Sequence, residues 1–185
     1  MYHSLTFSEF PGMNKSHRLL KYAFLFCCSM ALLSSTGRAQ STSISNLTFD
    51  ELDGTTSKLS DYLRSGPVYL SFWALWCEPC KQELHALRSF AREHADDPFT
   101  ILAVNQDSPK SLAKVKAYVR SQEYPFPVIL DPNTQVFQAF NGQNLPFSVL
   151  IDTNGKVVTT RTGYLPGDEK EIERDILKLV TKEKE

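Results

Sequence analysis

Two cysteines spaced by two residues, Cys77 and Cys80 in Trp76-Cys77-Glu78-Pro79-Cys80, carry the clearest reactive chemistry in this 185-residue chain. Ahead of them runs an apolar, aromatic stretch from Val68 to Trp73 that reads as a buried strand. From Lys81 onward the apolar spacing is helical. A Cys-x-x-Cys at a helix start is placed for thiol–disulfide exchange. The spacing lets the sulfurs reach bonding distance. The unpaired N–H groups and positive end of the helix favour a thiolate on Cys77. Cys80, a turn deeper, resolves a mixed disulfide rather than starting one. Trp76, Glu78 and Pro79 border the two sulfurs and tune them, and Glu78 is close enough to take a proton.

Other chemistry needs partners that the chain does not supply. A structural zinc site takes about four ligands. The remaining cysteines are Cys27 and Cys28, and neither His85 nor His94 forms a second ligand pair. No metal site is expected, and no cofactor beyond the cysteine pair itself. A purely structural disulfide is the bland alternative, but a Cys-x-x-Cys between strand and helix is a redox pattern rather than a staple. A copper-delivery module would use the same two thiols, yet methionine is scarce. A peroxidase is disfavoured because its reactive cysteine usually stands alone.

The rest of the chain must position that pair. With 42% hydrophobic and 22% charged residues it suits one globular domain and a short appendage. The net charge of −1 gives no basic excess for nucleic acid. Lys15, Arg18 and Lys21 precede an apolar core from Tyr22 to Leu33, then small residues up to Ala39. This is the pattern of a secretory signal over 1–39. The core is short for a membrane span of about 20 residues, so membrane contact is expected only if the leader stays attached. Residues 40–46 read as a linker and 47–185 as the folded domain, which with the leader gone carries 16 basic and 20 acidic residues.

Along that domain, Asp53-Gly54 turns an N-terminal hairpin, and Ser60 is the expected cap of a short helical turn. Leu84, Leu87, Phe90 and Ala91 give the helix after the cysteines an apolar face. Phe99 to Val104 is the next buried strand, and its polar exit, Asn105-Gln106-Asp107, lies where α/β sites form. Ser108-Pro109 opens a further helix and Asp131-Pro132-Asn133 a short one. Leu145-Pro146 precedes the strand Ser148–Asp152. A turn at Asp152–Gly155 then closes a hairpin before the final amphipathic helix, which starts at Gly167-Asp168.

The aromatic strand, the Trp before the first Cys and the Cys-Glu-Pro-Cys sequence resemble the thioredoxin fold. Within it they resemble the TlpA/ResA-like thiol–disulfide oxidoreductases, and the likeness extends from about Leu47 to Val180. It implies an α/β fold with a central mixed sheet flanked by helices, an N-terminal β-hairpin extension and an inserted α-β element. It implies that Pro146 is a cis-proline facing the disulfide, with Leu145 presenting its backbone to an extended substrate. It also implies an extracytoplasmic enzyme acting on protein disulfides or dithiols, served by a membrane electron donor and resembling the cytochrome c maturation reductases more than the oxidases or isomerases. Two departures bear on mechanism. Thioredoxin has a buried acid in the strand before the motif, where this chain has Ser71. A glutamate is expected after the next strand, where this chain has Asp107 as the nearest carboxylate. Phe147 also stands where relatives commonly have threonine.

Overall fold

The computed structural model describes residues 44–183. The expected leader, the first part of the linker, Cys27 and Cys28 lie outside them. After a 3-10 turn at Ile44–Asn46 come β1 (Thr48–Glu51), β2 (Thr56–Lys58) and α1 (Leu59–Leu63). Then follow β3 (Val68–Trp73), α2 (Glu78–Glu93) and β4 (Thr100–Asn105). A 3-10 turn at Pro109–Ser111 runs into α3 (Leu112–Gln122), followed by β5 (Val128–Leu130) and α4 (Gln135–Ala139). β6 (Phe147–Ile151), β7 (Val157–Thr162) and α5 (Glu169–Glu183) complete the domain.

The strands form one mixed sheet in the order β2-β1-β5-β4-β3-β6-β7. β3, β4 and β5 run parallel, while β6, β7 and the N-terminal hairpin join antiparallel. The hairpin lengthens the sheet by pairing β1 with β5, and α3–β5 is the inserted α-β element. All six residues of β3 are buried because helices cover both faces of the strand. Val68, Leu70 and Phe72 pack with α1 and α4 through Leu59, Leu63, Val136 and Phe140. Tyr69 and Trp73 face the other way, against Leu84 and Leu87 of α2, Val115 of α3 and Ile172 and Ile176 of α5.

Three local expectations are corrected. α2 begins at Glu78 rather than Lys81, because Pro79 in the first turn has no N–H to lose there and its fixed φ suits a helix start. The cap of α1 is Lys58, not Ser60, and the Asp61 carboxylate reaches back to accept the Lys58 N–H at 2.9 Å. Ser108 caps a 3-10 turn instead of opening α3 directly. Gly66 fixes where β3 starts relative to β4. Its φ is +145°, and a Cβ there would stand 1.8 Å from the Pro98 carbonyl oxygen.

Candidate active site

Cys77 and Cys80 are joined as a disulfide across the first turn of α2, with their Cα atoms 5.3 Å apart. Cys77 is the cap residue, in extended conformation (φ −93°, ψ 95°), and its carbonyl accepts the first helical bond from Lys81 N–H at 3.2 Å. Cys80 lies one turn in, on the face that packs against the sheet, and is completely buried, whereas Cys77 keeps 5% of its surface exposed. Of the pair, only Cys77 keeps any surface open to solvent.

The turn that presents Cys77 is held from two sides. Within it, Cys77 N–H donates to the Ala74 carbonyl at 3.0 Å. From the end of β4, the Asp107 carboxylate accepts the Leu75 N–H and the Asn105 side-chain amide, both at 2.8 Å. Asp107 thus acts on the loop that carries Trp76 and Cys77, rather than standing as an uncommitted proton acceptor. Trp76 is 72% exposed and projects from the rim. Glu78 also points to solvent and pairs with Lys81 Nζ at 2.5 Å.

Next to this turn, the register aligns the start of β6 with the end of β3, Phe147 opposite Phe72. The Leu145–Pro146 peptide that precedes Phe147 is cis. Pro146 is buried, its carbonyl accepts the Gly163 N–H at 2.8 Å, and Leu145 packs half-buried between the two core clusters. The cysteine turn, the Leu145-Pro146 corner and the loop after β7 therefore meet at one end of the sheet.

The carboxylate absent from the strand enters from the helix. Glu83 is 2% exposed and lies three residues after Cys80 on the same buried face of α2. Tyr69 Oη donates to Glu83 Oε1 at 3.2 Å. The buried Ser71 hydroxyl adjoins the same carboxyl without a hydrogen bond of regular geometry, so Tyr69 is the directional partner. Burial pushes the Glu83 carboxyl up to about 7, against the opposing pull of the Ser71 and Tyr69 hydroxyls and the Arg161 charge. Burial and the neighbouring Glu83 together hold the Tyr69 phenol well above its ordinary range.

A family model, AhpC/TSA, matches residues 41–160, more than half of the chain. The chain belongs to the AhpC/TSA family. It is 34% identical over 120 residues to the thiol-disulfide oxidoreductase ResA of Bacillus subtilis (strain 168). That match covers 65% of this chain and 65% of the relative, so the chain spans slightly less than two thirds of it. Among solved structures, one from Chlorobium tepidum assigned as a thiol:disulfide interchange protein DsbE aligns at 30% identity with a TM-score of 0.67. The alignment covers 75% of this chain and 95% of that one. The exposed lipoprotein thioredoxin Etrx1 of Streptococcus pneumoniae strain TIGR4 aligns at 30% identity and TM-score 0.61, covering 72% and 98%. This AhpC/TSA member has a thioredoxin-like fold, and the relatives it matches are named as thiol–disulfide oxidoreductases.

Glu83 escaped the reading of the sequence, although a signal for it was there. Cys80, Glu83, Leu84 and Leu87 follow i, i+3, i+4, i+7, which puts an acid inside an apolar stripe. His85, by contrast, is exposed beside Arg88, and His94 ends α2 with its Nδ1 2.8 Å from Asp97. Among the described residues no group of three His, Cys, Asp or Glu side chains is arranged to hold a metal ion.

Proposed function

We propose that this protein is an extracytoplasmic dithiol reductase of disulfide-bearing envelope proteins, of the kind that serves cytochrome c maturation. The observation that carries the reading is a cysteine pair at the first turn of α2 with the buried Glu83 carboxyl one turn further along. The Cys77 thiolate attacks one sulfur of the partner's disulfide, forming a mixed disulfide and releasing the other sulfur as a thiolate. Cys80 passes its thiol proton to the Glu83 carboxylate and attacks Cys77. The Cys77–Cys80 disulfide forms and the partner leaves as its second thiolate. The partner gains two electrons and the cysteine pair loses two. A membrane thiol donor then returns the pair to the dithiol.

Glu83 suits the proton step because an acceptor works best when it titrates near the working pH, and its carboxyl does so at about 7. Glu78, exposed and paired with Lys81, is less suited. In this reading Trp76 covers one side of the sulfurs and Pro79 shapes the first turn. Leu145 and Pro146 receive the partner's extended backbone. Export is supported by the leader pattern over 1–39 and by the likeness to an exposed lipoprotein thioredoxin. Among the described residues no helix is long and apolar enough to cross a membrane.

Equilibration with glutathione buffers tests the direction. A couple in the reducing part of the thioredoxin-fold range, toward roughly −270 mV, is expected. A couple near about −120 mV would replace the reductase with an oxidase or isomerase of secreted proteins. Expression of Cys80→Ser in cells should capture the physiological partners as mixed disulfides on Cys77.

A further inference from the structure

A polar row crosses the otherwise apolar sheet face beneath α2. Arg161 of β7 stands opposite Ser148 of β6, and Ser148 stands opposite Ser71 of β3. Ser71 lies between Tyr69 and Trp73 on the face that meets α2 and α5, and Ser148 shares that face with Leu150. Ser71 and Ser148 are buried, and Glu83 descends onto the same region from α2. The row ends in the half-buried Arg161 guanidinium, whose side chain is 23% exposed. Asp175 of α5 grips Arg161 Nη2, and Glu171 of α5 lies 3.4 Å from Nη1.

We propose that Arg161 is the counter-charge of Glu83, a positioning residue held at the end of the serine row so that the buried carboxyl can ionise during the redox cycle. An arginine stays charged at any working pH and can engage two carboxylates at once. Its two anchors do not cancel it from Glu83's side. The Glu171 and Asp175 side chains are 54% and 31% exposed, so water screens them more than it screens the Arg161 side chain, which is 23% exposed. The field of Arg161 reaches both Glu83 and Tyr69. The polar groups around Glu83 are Tyr69 and Ser71 from β3, Arg161 from β7, and Tyr164 and Asp168 from the loop between β7 and α5, and of these Asp168 opposes ionisation by its charge. The redox part of this assignment rests on Glu83 being the acceptor for the Cys80 proton.

The test is the carboxyl ¹³C titration of Glu83 in the oxidised whole protein, with Glu83→Gln identifying the resonance. In Arg161→Gln the proton affinity of Glu83 should rise on the order of threefold or more, the scale of losing a nearby opposite charge. Arg161→Lys keeps the charge and should stay close to wild type, whereas a purely structural role would make the two variants alike. Arg161→Met serves in place of Arg161→Gln if the latter does not fold. An unmoved Glu83 titration in the uncharged variants overturns the proposal. The second readout is the pH profile of mixed-disulfide resolution by Cys80. If it shifts with the Glu83 titration, both assignments stand. If Glu83 shifts and the profile does not, the counter-charge stands and Glu83 is not the acceptor.

Discussion

Glu83 makes the stability of the oxidised protein fall as pH rises, and Glu83→Gln should remove that fall. The carboxyl titrates at about 7 in the folded chain against an ordinary 4.5, chiefly because it is buried. Between those values the native state keeps a proton that the unfolded state has already released. The unfolded state therefore binds fewer protons, and unfolding becomes easier with each step up in pH. The contribution is intact below about 4.5 and is lost as pH passes through about 7. At 1.36 kcal/mol per pKa unit, that interval of about 2.5 units corresponds to roughly 3 kcal/mol. Glutamine keeps an oxygen for the Tyr69 hydroxyl and carries no titrating proton. Guanidinium unfolding of the oxidised proteins at steps from pH 4.5 to 8, extrapolated to water, measures the difference directly. Wild type should lose stability relative to Glu83→Gln by up to about 3 kcal/mol over this range. Asp53, Asp61 and Glu169 are held below their ordinary values by local hydrogen bonds and give the opposite slope at lower pH, which cancels in the comparison. Parallel curves for the two proteins would refute the argument.

The remaining predictions concern the cysteine turn and its supports. Cys77→Ser should abolish turnover, while Cys80→Ser should accumulate a mixed disulfide detectable by non-reducing electrophoresis; capture by Cys77→Ser instead would reverse the roles. Asp107→Ala leaves the Leu75 N–H and the Asn105 amide without their acceptor and should cost about 1–3 kcal/mol by thermal unfolding. It should also slow exchange at Cys77, and unchanged stability and rate together would remove Asp107 from the site. Gly66→Ala should destabilise by more than about 1 kcal/mol, because a Cβ collides with the Pro98 carbonyl in a conformation that favours glycine. Its melting temperature should drop while the redox equilibrium of the remaining folded protein stays that of wild type.

The fold was readable because its signals are periodic and local. The continuous apolar run of β3, the Asp53-Gly54 turn and the apolar stripe of α2 each announce their element without reference to the rest of the chain. The cysteine pair was readable for the same reason. What stayed hidden depends on contacts distant in sequence. Asp107 looked like a stand-in for an expected acid, but its carboxylate is taken by Leu75, 32 residues earlier. Asp131, four residues before α4, was read only as part of the opening of a short helix. Its buried carboxylate in fact accepts the Val136 and Phe137 N–H groups at 3.1 and 2.9 Å and takes a hydrogen bond from Gln106. Arg161 sits in a strand whose exposed pattern gives no sign that its guanidinium faces α5.

The source of the buried acid has a mechanical consequence. A carboxylate in the central strand would be fixed by the sheet, and movement of the active-site helix would change its distance from the sulfurs. Glu83 shares α2 with Cys80, separated by one turn, so a shift of that helix carries both together. The groups that meet Glu83 from the sheet side are Tyr69, Ser71 and Arg161, and these are what the helix moves against. Cys80 and Glu83 lie on one helix whereas Tyr69 reaches Glu83 from the sheet, so the Cys80-to-Glu83 relation should survive the redox cycle better than the Glu83-to-Tyr69 contact. If Glu83 is the proton acceptor proposed above, it travels on the same helix as the resolving Cys80, and the tuning of its acidity is left to the sheet.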